Sequence, residues 1–298
     1  MPDPFPILEV TSSMRSDVEQ LGSKPKFWFK LAGENWLFKE ARENTGEDWS
    51  EKVASEIASL LGLTTHHAEL ALWEGKRGCA VKSFLGSNQQ VLVHGNELLG
   101  GLITGYDKDK ERGQCDHTFD NIVAVLEQLF PIEHRRAAAS RMVGYLVLDA
   151  LVGNTDRHHQ NWGVLLERRE STERKPSFSL QLAPTFDHAS SLGRELTDEA
   201  RQKHFREGSL DRYIHRGRGG IYEHGEAKYG MSPIAVAGML GKRYPDFFKP
   251  WQLRVDEIAE ESLRELVERI PDGRISTSGR VFALAFLSAS RRLLIQTV

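Results

Sequence analysis

The sequence predicts an α+β chain of two lobes, a small β-rich lobe over residues 1–85 and a larger, mainly helical lobe over residues 86–298. Three observations carry this. Aromatic-rich, alternating runs separated by tight-turn residues crowd into the first lobe, and helical periodicity dominates beyond Asp116. Between them, Gly86 to Asp116 is rich in Gly, Asn and Asp and weakly periodic, as a connector with some local structure would be. The 298 residues are 40% hydrophobic and 27% charged with a net charge of −3, which excludes disorder as the main state and a bulk basic surface for nucleic acid. The longest apolar runs, Tyr145–Val152 and Val281–Ser290, fall short of the ~20 residues a bilayer helix needs. Met1–Val10 carries Asp3 and Glu9 where a secretory signal would be basic and then apolar. Cys79 and Cys115 stand far apart without CxxC spacing, so a reducing, cytoplasmic setting is expected, with no disulfide framework.

In chain order, Phe27 to Ala41 reads as a β-hairpin around Ala-Gly-Glu-Asn, with Lys39 near the end of its second strand. Asp48-Trp-Ser-Glu51 reads as a capping box opening a helix with Val53, Ile57, Leu60 and Leu61 on one face, stopped by Gly62. Ala68–Trp73 and Cys79–Phe84 read as strands joined by Glu-Gly-Lys-Arg-Gly, which completes a ββαββ order. Helices are expected at Thr118–Leu129 and at Glu133–Val152, the second entered through Pro131 and ended by Gly153-Asn154. Trp162–Glu167 and Phe178–Leu182 form another hairpin around a solvent loop, and the rest is mostly helical.

The chemistry sits in Leu151-Val-Gly-Asn-Thr-Asp156-Arg-His-His-Gln-Asn161-Trp-Gly. Asp156 and Asn161 have the spacing of a kinase catalytic loop, in which a carboxylate orients the attacking hydroxyl while an amide oxygen helps hold Mg²⁺ on the phosphates of ATP. Asp187, just after the second hairpin, is the expected second Mg²⁺ ligand, although His188-Ala189 stands where Phe-Gly is usual. Lys39 is the expected phosphate lysine and Glu51 its helix partner. Glu56 is the weaker choice, because five helical positions turn a side chain by about 140°. Gly22 and Ser23, before the hairpin, are the weak candidates for a loop over the phosphates. The main chain near Val81 and Ser83 is the expected reader of the adenine edge.

Trp-Leu-Phe-Lys39, Trp-Ser-Glu51-Lys-Val-Ala-Ser-Glu-Ile-Ala with Leu-Gly-Leu63, the Asp156–Asn161 loop and Leu182-Ala-Pro-Thr-Phe-Asp187 together resemble the HipA-like serine/threonine kinases. The likeness spans about residues 20–195 and is to the short CtkA-like members. The resemblance implies a protein-kinase-like bilobal fold, ATP and Mg²⁺ as cofactors, Asp156 as base, Asn161 and Asp187 as metal ligands, and Lys39 paired with Glu51. It implies that His158 supports the loop. It also implies a protein substrate, autophosphorylation at Ser23, and a toxin's role checked by a small DNA-binding antitoxin.

Singly, each residue has a plainer reading: Lys39 as a solvent-facing strand residue, Glu51 as a capping acid, Asp156 and Asn161 as turn residues. Their order in one frame is what favours the kinase. A small-molecule or lipid kinase, or a nucleotide-binding pseudokinase, shares every motif. His158-His159 suggests zinc, but adjacent histidines do not present to one ion as an i, i+4 pair does. His215-Arg-Gly-Arg-Gly-Gly resembles a nucleic-acid segment or a site for a phosphorylated partner, yet a lone patch on a net-acidic chain reads better as a solvated loop. The tryptophans are assigned to the core, with Trp162 also a possible wall of the site.

Overall fold

A computed structural model describes residues 2–18, 25–87, 89–169 and 177–297, so Gly22 and Ser23 lie outside the described residues. Strands β1 (Ile7–Val10), β2 (Arg15–Val18), β3 (Lys26–Leu31), β4 (Glu34–Glu40), β5 (Ala68–Trp73) and β6 (Lys76–Lys82) make one six-stranded sheet in the order β1-β5-β6-β4-β3-β2. Ala32 and Gly33 take φ of 50° and 83°, as a two-residue turn between twisted strands requires, and so close the predicted β3–β4 hairpin. Glu74 and Gly75 do the same between β5 and β6, so that loop is tighter than expected and β6 begins at Lys76. Alternation along β4 buries Trp36 and Phe38 against Phe27 and Phe29 on one face, which leaves Leu37 and Lys39 on the other. The edge strands β1 and β2 carry too short a pattern to be read in advance.

Helix α1 (Glu47–Leu60) lies against β5 and β6 and ends at Gly62, whose φ is +71°. It does not begin with the expected capping box. Its N-cap is Gly46, and Asp48 is fully buried, where it accepts from Arg77 Nη2 (3.0 Å) and Arg274 Nη1 (2.7 Å). Two guanidiniums hold that carboxylate inward, so it is lost to capping.

After Lys82 the chain leaves this sheet. The connector holds β7 (Gln90–His94) and α2 (Gly95–Leu102), and β7 joins β8 (Gly163–Arg169) and β9 (Ser177–Leu182) in a second sheet, in the order β7-β8-β9. Helices α3 (Phe119–Leu129) and α4 (Ile132–Val152) follow the predicted spans, α3 capped by Thr118 and α4 ended by Gly153 at φ +71°. The rest is α5 (Asp198–Arg206), α6 (Leu210–Arg216), α7 (Pro233–Arg243), α8 (Pro245–Glu257), α9 (Glu260–Glu268) and α10 (Thr277–Ile295). One continuous core joins α1 to the helical lobe. The C-terminal elements return to the first lobe, with Arg254 Nη1 donating to Leu61 O (2.8 Å) and the amide of Phe5 to Arg269 O (2.7 Å). No helix among the described residues is long and apolar enough to cross a membrane.

Candidate active site

Lys39, near the end of β4, crosses to the second lobe. Its Nζ lies 3.0 Å from Asp187 Oδ1, with the lysine 18% and the aspartate 39% exposed. Burial alone would push the ammonium pKa down, but Asp187 and then Glu51 outweigh it and hold the group charged. Asp187 sits at φ +62°, a left-handed conformation that few non-glycine residues adopt and that tends to mark functional turns.

Glu51, on α1, does not make the expected direct pair with Lys39. Its Oε1 accepts the amide of His188 (3.0 Å) and lies 2.8 Å from His66 Nε2, so that oxygen is committed elsewhere. Its Oε2 is buried without a hydrogen-bond partner. Burial pushes the Glu51 pKa up, yet Lys39 and then His66 pull it well below the usual range. Glu56 instead pairs with Lys52 (2.6 Å), so of the two glutamates Glu51 is the one that faces the site. His188, where Phe is usual, is fully buried with its ring stacked on His66 at 5.3 Å, and burial followed by Arg157 holds it neutral, well below its ordinary pKa.

The Asp156–Asn161 loop follows α4. Asn161 is buried and donates from Nδ2 to the carbonyl of Asp156 (2.7 Å). Asp156 is 55% exposed, with its Oδ1 3.9 Å from His158 Nε2. His158 Nδ1 receives the amide of Gln160 (3.2 Å), which leaves Nε2 as the ring nitrogen on the side of Asp156. Beneath the loop, Arg157 Nη1 reaches the carbonyls of both Asn161 (2.6 Å) and Phe186 (3.3 Å), so one guanidinium ties the loop to the residue before Asp187. Asp149 is its counter-ion. Sequence reasoning missed this hub, although Asp149, the charge interrupting the apolar run 145–152, was the signal.

Other expectations moved. Val81 is mid-strand between Leu37 and Ala68, and the amides of Lys82 and Ser83 are spent on His67 O and Asn35 O (both 2.8 Å), so Ser83 N–H is not available to an adenine edge. Trp162 is no wall of the site: it is buried and donates to His117 Nε2 (3.0 Å). His158 and His159 diverge, the latter bonding Tyr106 Oη (2.9 Å), and no group of three or more His, Cys, Asp or Glu among the described residues suits a metal.

One carboxylate and one amide oxygen, with phosphates and waters completing the shell, do suit Mg²⁺, which prefers oxygen and keeps water. Asn161 Oδ1, on the amide whose nitrogen is already spent, and the partly exposed Asp187 carboxylate are such donors. The buried, partnerless Glu51 Oε2 is a ready acceptor for an ammonium.

A family model described as the HipA-like C-terminal domain matches residues 20–237. Over 155 residues the chain is 30% identical to serine/threonine-protein kinase CtkA of Helicobacter pylori, which covers 52% of this chain and 43% of that protein. The chain therefore matches less than half the length of that relative. The crystal structure of a Helicobacter pylori proinflammatory kinase CtkA superposes with a TM-score of 0.76 at 22% identity, covering 98% of this chain and 96% of that one. HipA of Shewanella oneidensis MR-1, in a complex with HipB and operator DNA, superposes at 0.59 with 11% identity, covering 94% and 65%. At these identities the structural likeness is one of fold, and the fold is the bilobal kinase-like one.

Proposed function

The chain belongs to the HipA-like C-terminal domain family, and from that premise we propose that it is an ATP-dependent serine/threonine protein kinase. The observation that carries the reading is the meeting of Lys39 and Asp187 at 3.0 Å across the lobes, beside the loop that bears Asp156 and Asn161. Bound Mg-ATP supplies the phosphoryl group and the cation that neutralises its charge. Lys39 would hold phosphate oxygens, with its charge secured by two carboxylates. Asp187 and Asn161 Oδ1 would hold the metal. The Asp156 carboxylate accepts a hydrogen bond from the acceptor hydroxyl and takes its proton as attack proceeds, while His158 supports the loop beside it. Arg157 keeps the loop in register from below. Catalysis on this reading is positioning and charge stabilisation, without a covalent intermediate.

The same family likeness supports a small DNA-binding protein as the partner that restrains this chain, by analogy with the Shewanella HipA–HipB complex. The deciding experiment incubates the protein with labelled ATP, Mg²⁺ and a cell extract, followed by phosphosite mapping, which also reads Ser23. Labelled serines and threonines that vanish with Asp156→Asn are the expected result. Stabilisation by ATP-Mg²⁺ without any transfer would make the chain a nucleotide-binding module, and label on lipids or sugars alone would make it a different kinase.

A further inference from the structure

We propose that the acceptor hydroxyl lies in a polypeptide segment with acidic neighbours, read by Arg216 and Arg218 on the wall of a cavity beside Asp156. This rests on the kinase reading above. The cavity, about 270 Å³, is lined by Thr155, Glu195, Tyr213, Arg216 and Arg218 over an apolar floor that includes Phe286. Thr155 is the residue before Asp156, so the cavity borders the loop whose carboxylate would receive the hydroxyl. Its volume is below the roughly 300–1,000 Å³ typical of small-molecule sites, so it suits one or two side chains of a longer chain.

The segment 215–220 exposes His215, Arg216 and Arg218 as its composition suggests, but its glycines are half-buried. A Cβ on Gly220 would stand 2.6 Å from the carbonyl of Arg157 and 2.7 Å from His158 Cα, so only glycine lets this backbone lie on the loop. The Gly219 amide donates to Met231 O (2.8 Å), and the Gly220 carbonyl receives His117 Nδ1–H (2.7 Å). The backbone that bears the two arginines is thus anchored, while their side chains are exposed.

Charge completes the case. Arg157, Arg194 and Arg274 each pair with a carboxylate, whereas Arg216, Arg218 and nearby Lys228 make no ion pair among the described residues. Arg218 and Lys228 both lie 5.3 Å from the centre of the Tyr229 ring. The one acid of the lining, Glu195, accepts from Tyr213 Oη (2.9 Å). A segment carrying Asp or Glu is attracted to this entrance and a basic one repelled.

The test maps phosphosites made in a dephosphorylated cell extract by the wild type, by Arg216→Gln/Arg218→Gln, and by Asp156→Asn as background. The wild type should favour sites with Asp or Glu beside the acceptor by about three- to tenfold, the scale of two exposed ion pairs. The double variant should lose that preference and raise KM for a mapped acceptor at unchanged kcat, while its stabilisation by ATP-Mg²⁺ stays that of the wild type. Sites without acidic enrichment, or enrichment that survives in the double variant, overturn this inference alone. An absence of sites above background overturns the kinase reading and takes this inference with it.

Discussion

Arg157 donates from Nε and Nη2 to the two carboxylate oxygens of Asp149, at 2.7 and 2.8 Å, and both side chains are buried. The same guanidinium also reaches Thr185 Oγ1 (3.0 Å). It therefore couples the end of α4, the Asp156–Asn161 loop and the segment entering Asp187.

Asp149→Ala leaves that cation buried without its partner, so unfolding by urea should show a loss of about 3–5 kcal/mol. Asp149→Leu/Arg157→Met removes both charges and should cost clearly less than the sum of its single variants. Additive losses would show that the pair does not act as a unit.

Asp187 and Asp156 should separate by readout. Asparagine tolerates the left-handed backbone of residue 187, so Asp187→Asn should fold normally, with the increase in Tm caused by ATP-Mg²⁺ lost or sharply reduced. Asp156→Asn should keep that increase while phosphoryl transfer falls by about 10²–10⁴-fold. A full Mg²⁺-dependent increase in Asp187→Asn contradicts its placement at the metal.

Glycine substitutions probe the contact of the segment 215–220 with the Arg157–His158 backbone. Gly220→Ala drives a Cβ into main-chain atoms of Arg157 and His158, which must shift, so a loss of about 1–3 kcal/mol and of transfer is expected. Gly238→Ala is the control. It lies in α7 with nothing within 4 Å of the added Cβ, and should stabilise by about 0.5–1 kcal/mol. Equal effects of the two substitutions on Tm would remove the argument.

His117 supplies a pH dependence. Burial, opposed by its bond to Gly220, lowers its pKa from 6.5 to about 3, so the folded protein keeps it neutral while the unfolded chain protonates near 6.5. The unfolded state thus binds the extra proton as pH falls, and stability declines from about pH 6.5 downwards until the folded histidine itself titrates. The contribution is up to about 1 kcal/mol between pH 6.5 and 5.5. Urea midpoints at several pH values should show a steeper decline for the wild type than for His117→Asn. Parallel curves would mean that His117 titrates alike in both states.

Much of the fold was legible because its signals are local. The β3–β4 hairpin follows from aromatic alternation around Ala32-Gly33, and α3 and α4 from apolar periodicity bounded by Thr118, Pro131 and Gly153. The four-residue strands β1 and β2 escaped notice, being too short to carry a period. So did the start of α1, because Asp48 is claimed by Arg274, 226 residues away.

The chain's own order was enough to nominate Lys39, Glu51, Asp156, Asn161 and Asp187, since strand ends, helix starts and loop spacings are set by neighbouring residues. Only the tertiary structure decided that Lys39 meets Asp187 while Glu51 is held by His188 and His66. It alone placed Arg157 under the loop and packed a glycine-rich basic stretch against that loop's backbone. The reason is physical: a buried charge must find its partner wherever packing brings one, and that partner is chosen by the meeting of distant segments.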